Sequence, residues 1–155
     1  MEERFAELER RVQRLEDELE VTRLVASYGP LVDAGAADAV AALWTEDGHY
    51  DVEGWSMRSR DDVRAMVRSD GHQHLIAGGC AHFLGPAHVI IDGDTAVAVC
   101  ESLLVRLRDG GYSVRRAGAN RFELRRTPDG WQVAHRTTRA LDGSAEARSL
   151  LVASR

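Results

Sequence analysis

Three short, glycine-containing turns in the second half of the chain constrain the fold more than any other feature. Asp92-Gly93-Asp94, Asp109-Gly110-Gly111 and Pro128-Asp129-Gly130 separate runs rich in β-branched and other apolar residues. Turns of this length and composition join strands that are antiparallel neighbours. The predicted strands are His82 to Ile91, Thr95 to Arg108, Tyr112 to Arg126 and Trp131 to Leu141. The second half of the chain is therefore predicted to form a four-stranded antiparallel meander.

Residues 2 to 35 have the pattern of a helix, and the amphipathic part covers residues 1–27. Apolar or small residues recur there at alternating spacings of three and four, at Phe5, Leu8, Val12, Leu15, Leu19, Thr22 and Ala26. The stripe has two interpretations: it packs on its own domain, or it forms a short coiled-coil-like seam against another subunit. We expect it to serve partly in oligomer contacts. Gly29-Pro30 predicts a kink or helix junction, because proline cannot continue the hydrogen-bond ladder.

The residues between the long helix and the meander predict shorter elements. Residues 36–44 read as a second helix, followed by a turn at 45–48 and a strand at 49–52. Residues 61–68 read as a third helix with Ser59 as its N-cap. The tail at 143–155 is either a short helix or frayed. Helices followed by a meander predict one α+β domain over residues 1–155, with helices on one face of a curved, mostly antiparallel sheet.

Charge and residue usage exclude several classes of function. The net charge of −5 argues against nucleic acid or an anionic membrane as a partner. All 20 basic residues are Arg, so a lysine Schiff base is excluded. Two cysteines without ligand spacing, and no secretory or membrane-spanning segment, favour a cytoplasmic protein. His72-Gln73-His74 lacks a third ligand, so no metal site is predicted.

An imidazole and a carboxylate from distant segments offer the most specific chemistry in the chain. His82 lies in a predicted strand and Asp33 near the end of the long helix, with Tyr28 five residues before it. Together they could move a proton on and off a small organic molecule. The alternative is a purely structural role for both residues: Asp33 would cap its helix, and His82 would pack within its strand. Glu101 is the one acid in an apolar row of its strand, so it is either paired with an arginine or a pocket carboxylate.

Several motifs carry a resemblance to a known family. They are Tyr28-x4-Asp33, the helix ending in Leu43-Trp44, His82-Phe83-Leu84-Gly85, Ile91-Asp92-Gly93-Asp94-Thr95-Ala96 and Asp129-Gly130-Trp131. In order and spacing the chain resembles the SnoaL-like branch of the nuclear transport factor two-like superfamily. Within it, the chain is most similar to scytalone dehydratase and bile-acid 7-alpha-dehydratase. The resemblance implies a cone-shaped α+β barrel whose curved sheet wraps around helices and encloses a deep apolar pocket.

The resemblance also implies a set of site residues. Tyr28, Asp33 and His82 match the catalytic residues of these dehydratases, which need no cofactor. Asn120 matches the pocket asparagine of scytalone dehydratase. That enzyme also has a second pocket histidine, and no histidine stands at the matching place near Arg106-Leu107 in this chain. Arg139 is the nearest match to an arginine of the bile-acid enzyme, offset by a residue. The remaining candidates for substrate binding are Tyr50, Trp44, Trp55 and Glu101.

The predicted function is elimination of water from a small apolar or cyclic hydroxy-carbonyl compound. His82 would abstract a proton while Asp33 orients its ring, and Tyr28, with Tyr50 or Asn120, would bind the enolate oxygen. An isomerase or polyketide cyclase would use the same residues without loss of water. A non-catalytic ligand-binding or assembly subunit is the alternative outside enzymology. The resemblance also implies a homo-oligomer, a dimer or a trimer.

Overall fold

A computed structural model describes residues 1–154 of the protein. Along the chain, four of the five helices come before most of the sheet. The helices are α1 (Glu2–Asp33), α2 (Ala37–Ala41), α3 (Arg60–Arg68), α4 (Asp70–Ala77) and α5 (Ala145–Ser149). The strands are β1 (Trp44–Val52), β2 (Trp55–Met57), β3 (Cys80–Leu84), β4 (His88–Asp92), β5 (Thr95–Arg108), β6 (Gly111–Thr127) and β7 (Gly130–Ala140). None of these helices carries an apolar stretch long enough to cross a bilayer.

The strands form one curved mixed sheet in the order β2-β1-β7-β6-β5-β3, with β4 also paired to β5. The meander β5-β6-β7 is antiparallel, whereas β1 runs parallel to β7. Gly93 and Gly110 have φ angles of 59° and 75°, the left-handed conformation that tight turns require. The predicted α+β class and the antiparallel meander are therefore confirmed.

Three predicted elements differ from the structure. The predicted strand 82–91 is two strands, β3 and β4, because Pro86 lies between them and cannot donate to a ladder. The predicted second helix stops at Ala41, and Trp44 begins β1 instead of ending the helix. The predicted turn at 45–48 lies inside β1, where the register with β7 shifts between Trp44 and His49. By contrast, α3 begins as predicted, with the Ser59 hydroxyl accepting from the Asp62 amide at 3.1 Å.

Helix α1 packs on the sheet with a face other than its predicted stripe. Val21, Val25, Tyr28 and Val32 of its second half are buried in the core. Phe5, Leu8, Val12, Leu15 and Leu19 are 46–62% exposed, because the first half of the helix stands clear of the sheet. Packing of this stripe on its own domain is therefore wrong. The helix also continues through Pro30 to Asp33 without a junction, beyond the amphipathic segment 1–27.

An ion pair between buried Asp17 and the more exposed Arg126 fixes the middle of α1 to the sheet. The Asp17 carboxylate accepts two hydrogen bonds from the Arg126 guanidinium at 2.8 Å each and one from the Trp131 indole N–H at 3.0 Å. Asp17 is 4% exposed, and Arg126 also lies 4.7 Å from the centre of the Trp131 ring. These contacts set where the second half of α1 lies on the sheet. The tail forms the short helix α5, and residue 155 lies outside the described residues.

Candidate active site

The end of α1 and strand β3 meet at the predicted acid–base pair. Asp33 is the last residue of α1, and His82 is the central residue of β3. One turn before Asp33, Gly29 lies against the His82 carbonyl so closely that an added Cβ would be 2.1 Å from its oxygen. Only glycine allows the helix and the strand to approach this closely. The motif Gly29-Pro30-x2-Asp33 thus brings the carboxylate to the histidine.

Asp33 accepts three hydrogen bonds from β3. Its Oδ1 lies 2.6 Å from His82 Nδ1 and 3.6 Å from the Cys80 thiol, and its Oδ2 accepts from the His82 backbone N–H at 2.7 Å. Because a carboxylate only accepts, the proton of neutral His82 resides on Nδ1. The second ring nitrogen, Nε2, is then left with a free lone pair. This is the arrangement of a general base held by an acidic partner.

The surroundings of His82 keep its imidazole neutral. Burial is the main cause that lowers its pKa below the ordinary 6.5, and the Asp33 hydrogen bond and charge act in the opposite direction. His72 and Arg136 lower the pKa further. His82 is therefore unprotonated at neutral pH and available as a base, while Asp33 compensates the charge once a proton is taken up.

A cavity of about 170 Å³ opens in front of His82. Tyr28 and Tyr50 line it together with His82, and the apolar part of the wall includes Trp55. Asp33 does not line this cavity: it lies behind His82, in a groove between α1 and β3. The volume is below the roughly 300–1,000 Å³ typical of pockets for drug-sized ligands, so it suits a small compound.

The two tyrosines form one aromatic cluster with Trp44. The Tyr28 ring centre lies 6.4 Å from that of Tyr50, and the Trp44 ring stacks on Tyr50 at 5.7 Å. Trp44 is fully buried behind Tyr50 and supports the wall without lining the cavity. Burial raises the pKa of the Tyr28 hydroxyl well above its ordinary value, so Tyr28 is a protonated hydrogen-bond donor.

Asn120 is fully buried on β6 and also does not line the cavity. Its amide donates to the Cys100 carbonyl at 3.3 Å and to the Ser102 hydroxyl at 2.9 Å. Its Oδ1 accepts from Arg136 at 2.8 Å and from the Thr138 hydroxyl at 2.8 Å. All of its bonding capacity is used by neighbours, so Asn120 holds wall residues in place without contacting a ligand.

Arg139 and Glu101 are placed away from the cavity. Arg139 pairs with Asp51 at 3.0 Å and with Glu146 at 2.7 Å. Glu101 is exposed on the outer face of β5, and no arginine among residues 1–154 pairs with it. Because the Glu101 carboxylate is solvated on that face, its charge does not need an arginine partner. Glu101 is therefore neither a pocket carboxylate nor one half of an ion pair.

Arg136 lines the cavity, in the place that the resemblance suggested for Arg139. A bulge shifts the β6-β7 register between Glu123 and Leu124, so the partners change from Val133 to His135 across it. An extra residue in one strand reverses which side chains face inward beyond it. Arg139, the nearest match that the resemblance offered, therefore lies outside the cavity, and no signal in the sequence marked the bulge.

His72 is a second residue whose role the sequence did not indicate. Its ring is buried, 6.0 Å from that of His82, and its Nε2–H donates to the Val32 carbonyl at 2.8 Å. That carbonyl precedes Asp33 directly, so His72 helps to fix the end of α1. The spacing in His72-Gln73-His74 suggested at most an incomplete metal pair.

One group of side chains has the ligand atoms that a metal ion could use. The Asp33 carboxylate, Cys80 sulfur and His82 nitrogen lie within 4.8 Å of one another. Each is already engaged in the hydrogen bonds at Asp33, and burial raises the Cys80 thiol pKa to about 11. A metal would have to displace that thiol proton and open the 2.6 Å pair. The arrangement is better described as a hydrogen-bonded base than as a metal centre.

A curved sheet that closes with helices over one pocket, with a histidine–aspartate pair at its wall, defines a pocket protein of the cystatin-like, nuclear transport factor two-like class. The model of the SnoaL-like domain matches residues 13–137. The chain therefore belongs to the SnoaL-like family, which includes polyketide cyclases and enzymes that modify rings.

Solved structures agree with this assignment. An NTF2-like protein with a cystatin-like fold from Novosphingobium aromaticivorans is 46% identical, with a TM-score of 0.92 over 94% of this chain and 95% of that chain. A protein of the same organism, named as a candidate aromatic ring hydroxylase, is 27% identical with a TM-score of 0.68, over 82% and 90% of the chains. A Catenulispora acidiphila protein in complex with S-DNPA shares the fold at 19% identity and a TM-score of 0.68, over 79% and 92%. No curated protein matches the chain significantly.

Proposed function

We propose that this protein is a cofactor-independent acid–base enzyme that eliminates water from a small hydroxy-carbonyl compound, as in the dehydratases it resembles. The observation that carries the proposal is the 2.6 Å contact between His82 Nδ1 and Asp33 Oδ1 at the wall of a small cavity. A non-catalytic binding subunit would gain nothing from a half-buried base with a free nitrogen. A carbonyl acidifies the adjacent C–H, so the reaction itself requires only a base and a hydrogen-bond donor.

The proposed reaction is divided between His82, a tyrosine and Asp33. His82 Nε2 removes the proton next to the substrate carbonyl, and the electron pair of the broken C–H bond moves to the carbonyl oxygen to form an enolate. The hydroxyl of Tyr28, or of Tyr50 beside it, donates to that oxygen. When the enolate re-forms the carbonyl, the β C–O bond breaks, and the imidazolium gives its proton to the departing hydroxyl, which leaves as water. Asp33 holds the imidazolium between these steps.

Proton abstraction can be measured before the natural substrate is identified. Small cyclic ketones and β-hydroxy ketones are incubated with the protein in D₂O, and NMR follows deuterium uptake next to the carbonyl. We expect His82→Gln to lower the exchange rate by about 10²- to 10⁴-fold, the usual contribution of a general base. Asp33→Asn should lower it as well, whereas His88→Gln, which changes an exposed histidine of β4, should leave it unchanged.

The same assay separates the reactions that this site could perform. Loss of water from a β-hydroxy ketone gives a conjugated enone with a new ultraviolet absorption, whereas an isomerase or cyclase gives exchange or rearrangement without it. Exchange that is equal in wild type and His82→Gln would refute the acid–base proposal. Circular dichroism of each variant distinguishes loss of chemistry from loss of fold.

A further inference from the structure

Arg136 is a buried cation without a carboxylate partner. It is 2% exposed, and its guanidinium carbon lies 4.2 Å, 4.5 Å and 4.7 Å from the ring centres of Tyr28, Tyr50 and Phe122. Its single hydrogen bond among the described residues is that of Nη2 to the neutral Asn120 side chain, so Nε and Nη1 have no partner. Burial of a charge with unmade hydrogen bonds is costly, and proteins ordinarily pair such a group.

The cavity in front of Arg136 is electropositive. Its described lining contains Arg136 and Arg116 but no aspartate or glutamate. Arg116 is partly exposed and pairs with Glu53, which lies outside the lining. Asp33, which lies behind His82, is committed to that histidine. The positive charge of Arg136 is therefore not compensated by the protein on the cavity side.

We infer that the cavity binds a small carboxylate, and that Arg136 is the residue that recognises its negative charge. A guanidinium bonds carboxylate oxygens through charge-assisted hydrogen bonds, which are stronger than those between neutral groups. The volume of about 170 Å³ and the apolar walls restrict the ligand to a single ring or a short chain. This inference deepens the proposed function, on which it rests for the reaction: the hydroxy-carbonyl substrate also carries a carboxylate.

Matched pairs of ligands test the charge preference in the unmodified protein. Single-ring and short-chain carboxylates, benzoate among them, are compared with their neutral amides by calorimetric titration and thermal shift. We expect at least one carboxylate to bind at least about tenfold more tightly than its amide. Equal binding of every acid and its amide, or no binding by any carboxylate, would overturn the inference.

Variants assign the preference to Arg136. Arg136→Met should remove the advantage of the carboxylate, and Arg136→Lys should retain part of it. Arg108→Met, an exposed arginine of β5, is the control that should retain all of it. His82→Gln should also retain the preference, so a protein that prefers carboxylates but lacks His82-dependent exchange would refute the proposed function alone. If Arg136→Met does not fold, the comparison of acids with their amides in the wild-type protein still tests whether the cavity prefers a carboxylate.

An independent observation concerns the first half of α1. Phe5, Val12 and Leu19 alternate with Leu8 and Leu15 in an exposed row that has the a and d spacing of a coiled coil. The core residue Val21 lies two positions beyond Leu19, about 200° around the helix. The row therefore faces away from the domain and is open to a partner.

The charges beside this row match a second copy of the same helix in parallel. With Phe5 at an a position, the g residues Arg4, Arg11 and Glu18 are followed five positions later by the e residues Glu9, Glu16 and Arg23. In a parallel two-stranded coiled coil, these g and e′ side chains face each other across the seam. All three pairs have opposite charges, and none of these six residues has an ion pair within the described chain. An antiparallel pairing with Leu8 opposite Val12 would instead bring Arg11 beside another Arg11 and Glu9 beside another Glu9.

We propose that the exposed row of α1 forms a parallel two-stranded coiled coil with a second copy of the chain. Sedimentation and light scattering of the full chain should give twice the monomer mass. Leu8→Glu with Leu15→Glu should give the monomer, whereas Arg14→Glu, outside the seam, should leave the dimer intact. Arg11→Glu should weaken the dimer, and Arg11→Glu combined with Glu16→Arg should restore it, because the pair is then reversed.

Two results would overturn the dimer. A wild-type monomer at high protein concentration would do so directly. A dimer that persists in the Leu8→Glu and Leu15→Glu variant would place the interface elsewhere, for example on the outer face of the sheet. If Arg11→Glu and its double variant dimerise equally well, the parallel orientation is wrong.

Discussion

Replacement of Gly29 by alanine tests the contact that brings the two halves of the site together. A Cβ at position 29 would lie 2.1 Å from the His82 carbonyl oxygen, whereas ordinary contacts begin at 3.4 Å. Because this oxygen belongs to the backbone of β3, α1 would have to withdraw by roughly 1 Å. Such a shift would stretch the 2.6 Å bond between Asp33 and His82 beyond the hydrogen-bond limit of about 3.2 Å.

The magnitude follows from two opposing contributions. Alanine in a helix is favoured over glycine by about 0.5–1 kcal/mol, whereas overpacking of a closed contact costs about 1–3 kcal/mol. We expect Gly29→Ala to lower the free energy of unfolding by about 1–2 kcal/mol and the Tm by about 2–8 °C for a chain of this size. Gly71→Ala is the matched control. Gly71 is an exposed glycine of α4 at which an added Cβ would meet open space, so the same change should stabilise slightly.

Calorimetry measures both Tm values, and proton NMR of the His82 Nδ1–H reports the pair with Asp33. The expected result is a lower Tm for Gly29→Ala, an equal or higher Tm for Gly71→Ala, and loss of the Nδ1–H signal in Gly29→Ala alone. A Gly29→Ala protein that melts at or above wild type and keeps the signal would refute the close approach of α1 and β3.

Three further predictions concern titration and packing. The deuterium-exchange rate should fall as the pH is lowered, with an apparent pKa below 6.5, because protonated His82 cannot act as a base. Asp33→Asn should move this fall in rate to lower pH, since the Asp33 charge raises the pKa of His82. A fall in rate that moves to higher pH would contradict this. Asp17→Asn should cost about 1–2 kcal/mol in urea unfolding, because it removes the charge of a buried carboxylate that accepts two hydrogen bonds from the partly exposed Arg126. The Arg126 hydrogen bond lowers the pKa of Asp17, so this stabilisation is present above about pH 3.8 and is lost as pH falls through the lower folded value. His72→Phe should cost about 0.5–1.5 kcal/mol by removing its hydrogen bond to the Val32 carbonyl, which would keep only the bond from the Gly35 amide, and urea unfolding that matches wild type would show that the His72 bond is not needed.

Most of the secondary structure could be predicted because it depends on local features. The glycine turns at 92–94 and 109–111 fix the meander, and Ser59 supplies the cap of α3. The elements that were missed, β2 and α4, are short, and their apolar periodicity is correspondingly weak. The split between β3 and β4 follows from Pro86, which the alternation pattern alone did not reveal.

The candidate site divides in the same way. Tyr28, Asp33 and His82 could be predicted as a set, because their order and spacing resemble a family whose fold brings those positions together. Which arginine lines the cavity could not be predicted, because it depends on strand register. One bulge between β6 and β7 reverses the inward face, so Arg136 lies in the cavity and Arg139 outside it. A bulge is a property of strand pairing, and a single strand's sequence does not encode its partner's register.

The long helix illustrates the same limit. The sequence determined that residues 2–33 are helical and that one stripe is apolar, since both follow from spacing along one chain. Which stripe meets the sheet was decided by the docking of Val21, Val25 and Asp17, contacts that join residues far apart in sequence. Local free energies select the elements, whereas register and docking depend on the packing of all of them at once.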